Sequence, residues 1–257
     1  MNNKSLVQQC ENSLDSVLEL ALKILETLKF DRKDAQQLYA VCLYARILEL
    51  AYGCKAMMDS NTLVGIPVLL RSMFEADIDL VNVLKHADYP KQMQAAFVEQ
   101  KIRLTKNAIA SESSQYFAEM YKNLDLSNEL KKAKLELKKL NPNENLCSIK
   151  GRAEFAGKLE EYLSVYNMLC LDTHNNIRSL EQWHLNVISM DEYHAEIFKT
   201  SKDEILHCLS TIPGILLLQS KAMAEFIGVK GVDFEPCFKE FRAMQSSVVA
   251  HTKDDNS

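Results

Sequence analysis

The chain has 257 residues, of which 7 are Gly and 5 Pro, less than half the usual ~12% for these two residue types. So few turn formers exclude a β-sandwich, a β-propeller and a many-stranded α/β sheet. A hydrophobic content of 47% with 25% charged residues excludes wholesale disorder, and a net charge of −5 argues against a dedicated duplex-DNA binder.

Helical periodicity dominates the pattern. The first helix is expected over Ser5 to Leu28, with Leu14, Val17, Leu18, Ala21, Leu22 and Leu25 on its apolar face. Asp31 is the expected cap of a second helix running from Arg32 to Met58. Asp59 to Thr62 forms a turn. The third helix, Leu63 to His86, is the most apolar, accepts Pro67 in its first turns, and belongs at the centre of a bundle. Tyr89-Pro90 opens a fourth, from Lys91 to Ala110.

A lysine-rich arm follows from Ser111 to Leu140, broken by Asn141-Pro142-Asn143-Glu144-Asn145. A long helix is expected from Lys158 to Gln182, with Trp183 to Met190 ambiguous. Another covers Glu192 to Ile227, kinked or broken at Pro213-Gly214. The last spans Phe234 to Val249, and His251 to Ser257 reads as a frayed tail. These elements predict an all-α fold: an irregular bundle of long antiparallel helices forming a single helical domain over 1–250. Residues 111–150 make a small peripheral lysine-rich helical lobe, and 251–257 a flexible tail.

The 7 Cys include no Cys-x-x-Cys pair, so they read as small reduced core residues. The N-terminus lacks an apolar signal core, and no apolar run approaches the ~20 residues that span a bilayer. A cytoplasmic protein without membrane contact is the expectation. Gly-x-x-x-x-Gly-Lys, Gly-x-Gly-x-x-Gly and Gly-x-Ser-x-Gly are all absent, which disfavours P-loop, dinucleotide and α/β-hydrolase chemistry.

Two polar columns stand out on apolar helices. Arg71 and Glu75 are four apart and share one side of the third helix, while Asp77 projects among Leu70, Phe74, Val81 and Leu84. A carboxylate there needs a partner or a proton. On the helix from Lys158, His174 sits at the rim of the apolar face with Arg178 one turn on. Arg71, Glu75, Asp77, His174 and Arg178 are expected to converge in one buried polar cluster, with Tyr166 as a further member. The plainer reading makes Arg71–Glu75 a surface ion pair and His174 a packing residue.

The segment Leu69-Leu70-Arg71-Ser72-Met73-Phe74-Glu75-Ala76, with Tyr166-x-x-x-Cys170-x-x-x-His174 about a hundred residues on, resembles a bacterial family known only as domain of unknown function 5677. That family pairs an Arg-Ser-x-x-Glu helix with a Tyr-x-x-x-Ser-x-x-x-His helix, and Cys170 stands here where the pattern has Ser. The resemblance covers Gln37 to Ile197. It implies an all-α fold and no established activity.

Three chemistries compete. Arg178-Ser-Leu-Glu-Gln-Trp-His184 is an Arg-x5-His, which resembles the Arg-x(4–6)-His motif of the HEPN all-α ribonucleases. That resemblance implies a metal-independent ribonuclease of a bacterial antiviral defence or toxin system, often with the motif at a homodimer interface. Here His174 or His184 would move the 2′-OH proton, and Arg71 or Arg178 would hold the phosphate, with RNA as partner. In a continuous helix, however, six residues separate two side chains by ~240°.

The second chemistry is a carboxylate-bridged di-metal site, drawn from Glu181-x-x-His184 and Glu204-x-x-His207 with Glu75 and Glu49 as further ligands. The motifs lie in the wrong chain order for it, so no metal and no cofactor is expected. The third is a non-catalytic helical interaction or scaffold protein, with a protein partner or RNA meeting a basic patch of Lys131, Lys132, Lys134, Lys138 and Lys139. The plain alternative for that patch is a solvated lysine face, because no aromatic residue interleaves with it.

Overall fold

The computed structural model describes residues 3–111, 114–115, 122, 124–140, 142–173, 176–189, 192–195, 197 and 200–254. The fold is all-α, as composition and periodicity require. Its helices are α1 (Asn3–Thr27), α2 (Ala35–Asp59), α3 (Ile66–Lys85), α4 (Tyr89–Ala110), α5 (Leu126–Leu140) and α6 (Ile149–Ala156). A continuous helical segment over 159–173 is α7. Then come α8 (Ile177–His184), a small antiparallel hairpin of β1 (Leu185–Ser189) and β2 (Glu192–Ala195), α9 (Leu206–Ile227) and α10 (Glu235–Asp254).

Asp34, not Asp31, caps α2. Its carboxylate accepts from the backbone N–H groups of Gln36 and Gln37, while Asp31 accepts from the Lys33 N–H in the preceding turn. The helix starts three residues later than the apolar pattern suggests, and the nearer carboxylate takes the free donors. A short 3₁₀ turn, Leu63–Gly65, precedes α3 and puts Pro67 at its second position.

Helix α3 lies at the centre of the bundle, in contact with α2, α4, α6, α7 and α9. Leu70, Met73, Phe74 and Ile78 are buried in a core shared with α1, α2, α9 and α10. Helix α9 is nearly apolar throughout and runs through Pro213 without a break. Gly214 permits the close approach of α10, since a Cβ there would sit 2.6 Å from the Phe241 ring.

Three expected helices differ in the structure. The 158–182 helix is divided: α7 follows Gly157, a left-handed residue (φ 76°) that closes α6, and contains a π-helical stretch at Tyr162–Tyr166. The 192–227 helix begins only at Leu206, because Glu192–Ala195 pairs with Leu185–Ser189 as strands. Val187, Ile188 and Tyr193 favour extended backbone, and local pairing outweighs an ambiguous helical period there. The C-terminal helix continues to Asp254, so part of the expected tail is ordered, and 255–257 lie outside the described residues.

Helix α5 packs on α4 around its own small cluster of Val98, Ile102 and Ala133, flanked by Leu130, Leu137 and Leu140. Lys131, Lys132, Lys134, Lys138 and Lys139 all face solvent. Cys10, Cys54 and Cys208 are buried, and burial pushes each thiol up to about 12. Cys42 is exposed, contrary to a uniform core role. Among the described residues, no helix is long and apolar enough to cross a membrane.

Candidate functional site

Helix α3 carries three carboxylates at alternate positions, Glu75, Asp77 and Asp79. Each engages a different group of side chains, and one partner of each lies between residues 149 and 173. Glu75 and Asp79 are four apart and share a side, whereas Asp77 is turned ~200° from either. The three form a polar seam along the helix.

At the first station, Arg71 and Glu75 meet Tyr166. The Arg71 guanidinium donates to the Tyr166 hydroxyl at 2.6 Å and lies 3.0 Å from Glu75 Oε1. The hydroxyl in turn donates to Glu75 Oε1 at 2.8 Å. Arg71 Nε also donates to Cys170 Sγ at 3.3 Å, so a sulfur is the acceptor there. The Tyr166 ring stacks on Tyr162 (centroids 5.1 Å apart), and the Arg71 guanidinium lies 5.0 Å from its centroid. The π-helical stretch ends on Tyr166 itself, one turn before Cys170.

Burial, then the hydrogen bond to Glu75, pushes the Tyr166 phenol well above its ordinary range, so it stays protonated and donates. The site is not sealed. Arg71 and Glu75 keep side-chain exposures of 27% and 32%, enough for a solute to reach them.

The second station holds Asp77, fully buried and bonded to Lys158 Nζ at 2.5 Å and Gln219 Nε2 at 2.5 Å. Burial drives this carboxyl above the usual carboxylate range, and Lys158 and Gln219 pull against it. Asp77 therefore does not join Arg71 and Glu75. A spacing of two residues on a helix sends it toward α9 and the start of α7 instead.

The third station is Asp79. It accepts from Arg152 Nη1 at 2.6 Å and from the Tyr89 hydroxyl at 2.6 Å. Asn82 and Lys85, further along α3, donate to the backbone carbonyls of Arg152 and Ala156 at 2.9 and 2.8 Å. Burial raises Asp79 as well, against the pull of Arg152. The i+4 spacing from Glu75 marks Asp79 in the sequence. Its charged partner Arg152 carries no such signal, because it comes from an element more than seventy residues away.

Of the residues expected to converge, Arg71, Glu75 and Tyr166 do so. His174 lies outside the described residues, as does the side chain of Arg178 on α8. His184 ends α8 in an exposed position beside the buried Trp183. Among the described residues, no group of three or more His, Cys, Asp or Glu side chains is placed to share a metal ion. The spacings Glu181-x-x-His184 and Glu204-x-x-His207 therefore do not assemble into a metal centre there.

Residues 37–193 match the model of a family described as "Family of unknown function (DUF5677)". The match covers more than half of the chain. The chain belongs to this family. No curated protein and no solved structure matches it. The DUF5677 segment runs from within α2 to within β2. It thus contains both sides of the Arg71–Tyr166 station and of the Asp79–Arg152 station. Gln219, which completes the Asp77 station, lies beyond it on α9.

Proposed function

We propose that this DUF5677 protein is a helical interaction protein whose polar seam fixes α6 and α7 against α3. One observation carries the reading: all three carboxylates of α3 are engaged by a guanidinium, an ammonium, an amide or a phenol. Each of these carboxylates is held by a donor on a neighbouring element, an arrangement that favours a structural role over proton transfer. Buried ionic groups of this kind set register and orientation more than they add stability.

A second reading is metal-independent RNA cleavage in a bacterial defence or toxin setting. It draws support from the exposure of Arg71 and Glu75, which leaves a guanidinium reachable by a phosphate beside a protonated phenol. In that reading Arg71 or Arg178 holds the phosphate, and His174 or His184 supplies the proton transfer.

Purified full-length protein incubated with total RNA in EDTA separates the two, with Arg71→Ala, His174→Ala and His184→Ala as variants. The interaction reading expects intact RNA with every protein and a lower Tm for Arg71→Ala. Cleavage by wild type that disappears in one histidine variant at unchanged Tm overturns it in favour of the ribonuclease. Expression in a growing culture gives a parallel readout, with toxicity expected only for an active nuclease.

A further inference from the structure

Charge is unevenly placed along the chain. Residues 89–140, which span α4 and α5, hold ten Lys and Arg against six Asp and Glu, a net +4, so the rest of a chain of net charge −5 carries −9. The outer face of α5 is built around Leu135. This side chain is 63% exposed, and its neighbours three and four positions away on either side are Lys131, Lys132, Lys138 and Lys139, all exposed. One apolar knob thus stands in a ring of cations, on a helix that packs its other side on α4.

The acidic remainder contains a matching hole. A cavity of about 210 Å³ opens between α7 and α8, with Met168, Leu171 and Trp183 as its apolar lining and Asp172 at its edge. Met168 and Leu171 are 43% and 45% exposed, and Ile177 and Leu180 extend the exposed apolar surface along α8. An apolar cavity of ~150 Å³ admits benzene, so this one has room for a leucine side chain. Residues 159–173 carry Glu160, Glu161 and Asp172 and no Lys or Arg, and Glu181 adds a carboxylate on α8.

We propose that the chain associates head to tail with a second copy of itself. Leu135 of one copy seats in the α7–α8 cavity of the next, and the α5 lysines face the carboxylates of α7 and α8. Like-with-like pairing is disfavoured in both directions. Two α5 faces would oppose lysine to lysine, and two α7 faces carboxylate to carboxylate. A nucleic acid would answer the lysines and leave both Leu135 and the cavity unused. The knob supplies a buried centre, and the charged ring around it sets orientation and shuts out water. None of the three carboxylates of α3 takes part, so the contact stands or falls apart from the reading of the seam.

Sedimentation velocity of the full chain at up to ~200 μM tests this, a range that reports micromolar dissociation constants. In low salt the mean mass should rise with concentration above the 29.3 kDa of one chain. It should return to that of one chain near 1 M salt, where charges are screened beyond ~3 Å. Two variants each remove one side: Lys131→Glu/Leu135→Glu takes away the knob and part of its ring, and Met168→Lys/Leu171→Lys blocks the hole. Each alone should stay at the mass of one chain with unchanged helical content by circular dichroism. Their equimolar mixture should form a 1:1 pair and nothing longer, because one intact knob and one intact hole remain. If the cavity variant does not fold, Gln182→Arg at the exposed rim of the same cavity takes its place. The mass of a single chain for wild type at every concentration in low salt overturns the proposal. Binding of a single-stranded RNA oligonucleotide that the knob variant loses would then give the α5 face to nucleic acid. Association that persists in the knob variant alone, or a mixture that stays unpaired, overturns it as well.

Discussion

Helix α3 meets the molecule in two ways. Met73, Phe74 and Ile78 enter the shared hydrophobic core, where contact depends on volume and is indifferent to direction. Glu75, Asp77 and Asp79 instead meet α6, α7 with Lys158 just before it, and α9 through named partners at 2.5–2.8 Å. The apolar side tolerates a change of shape at a graded cost. The polar side fails at once when one partner is removed, because the other is left charged and desolvated.

The largest effect is expected where that asymmetry is greatest. Asp77→Ala removes the partner of both Lys158 and Gln219 and should destabilise by about 3–5 kcal/mol, read by urea denaturation. Met73→Ala, at a fully buried position of the apolar side, should cost about 2–5 kcal/mol through lost transfer energy and a cavity. If Asp77→Ala costs far less than Met73→Ala, the seam is not what holds α7 in place.

Tyr166→Phe keeps the stacked ring and removes the hydroxyl between Arg71 and Glu75. A loss of about 1–3 kcal/mol is expected by the same measurement. Arg71 and Glu75 can still pair directly, which is why the effect is smaller than at Asp77.

The pH dependence gives a further test. The folded carboxyls of Asp77 and Asp79 lie above their ordinary value of 3.8. The folded state therefore holds protons that the unfolded state has released, and the stability from this protonation is full below pH 3.8. It is lost as pH rises through the raised folded values. The stability of wild type relative to Asp77→Asn should accordingly decline over a window that opens at pH 3.8 and extends upward. A difference that is flat across that window, measured by urea titrations at several pH values, refutes a raised Asp77. The smallest effect is expected at Glu19, whose exposed pair with Lys23 at 2.6 Å is screened by water. Glu19→Gln should leave Tm unchanged within error.

Much of this was legible in the residues themselves. The paucity of Gly and Pro and the 3.6-residue spacing of apolar side chains fix an all-α bundle, and the apolar character of α3 places it at the centre, although α9 is more apolar still. The four-residue spacing of Arg71 and Glu75, with Tyr166 and Cys170 four apart on a second helix, announces two faces that match. Helical period is a local property, and it is written in local sequence.

What the tertiary structure decided is which partner each polar group received. Asp77 turned away from Arg71 to Lys158 and Gln219, Asp79 acquired Arg152 and Tyr89, and Tyr166 came to lie between Arg71 and Glu75. Residues 185–189 and 192–195 became strands because they could pair with each other. Partner choice depends on where distant segments dock, and docking is settled by the whole core at once rather than by any window of the chain.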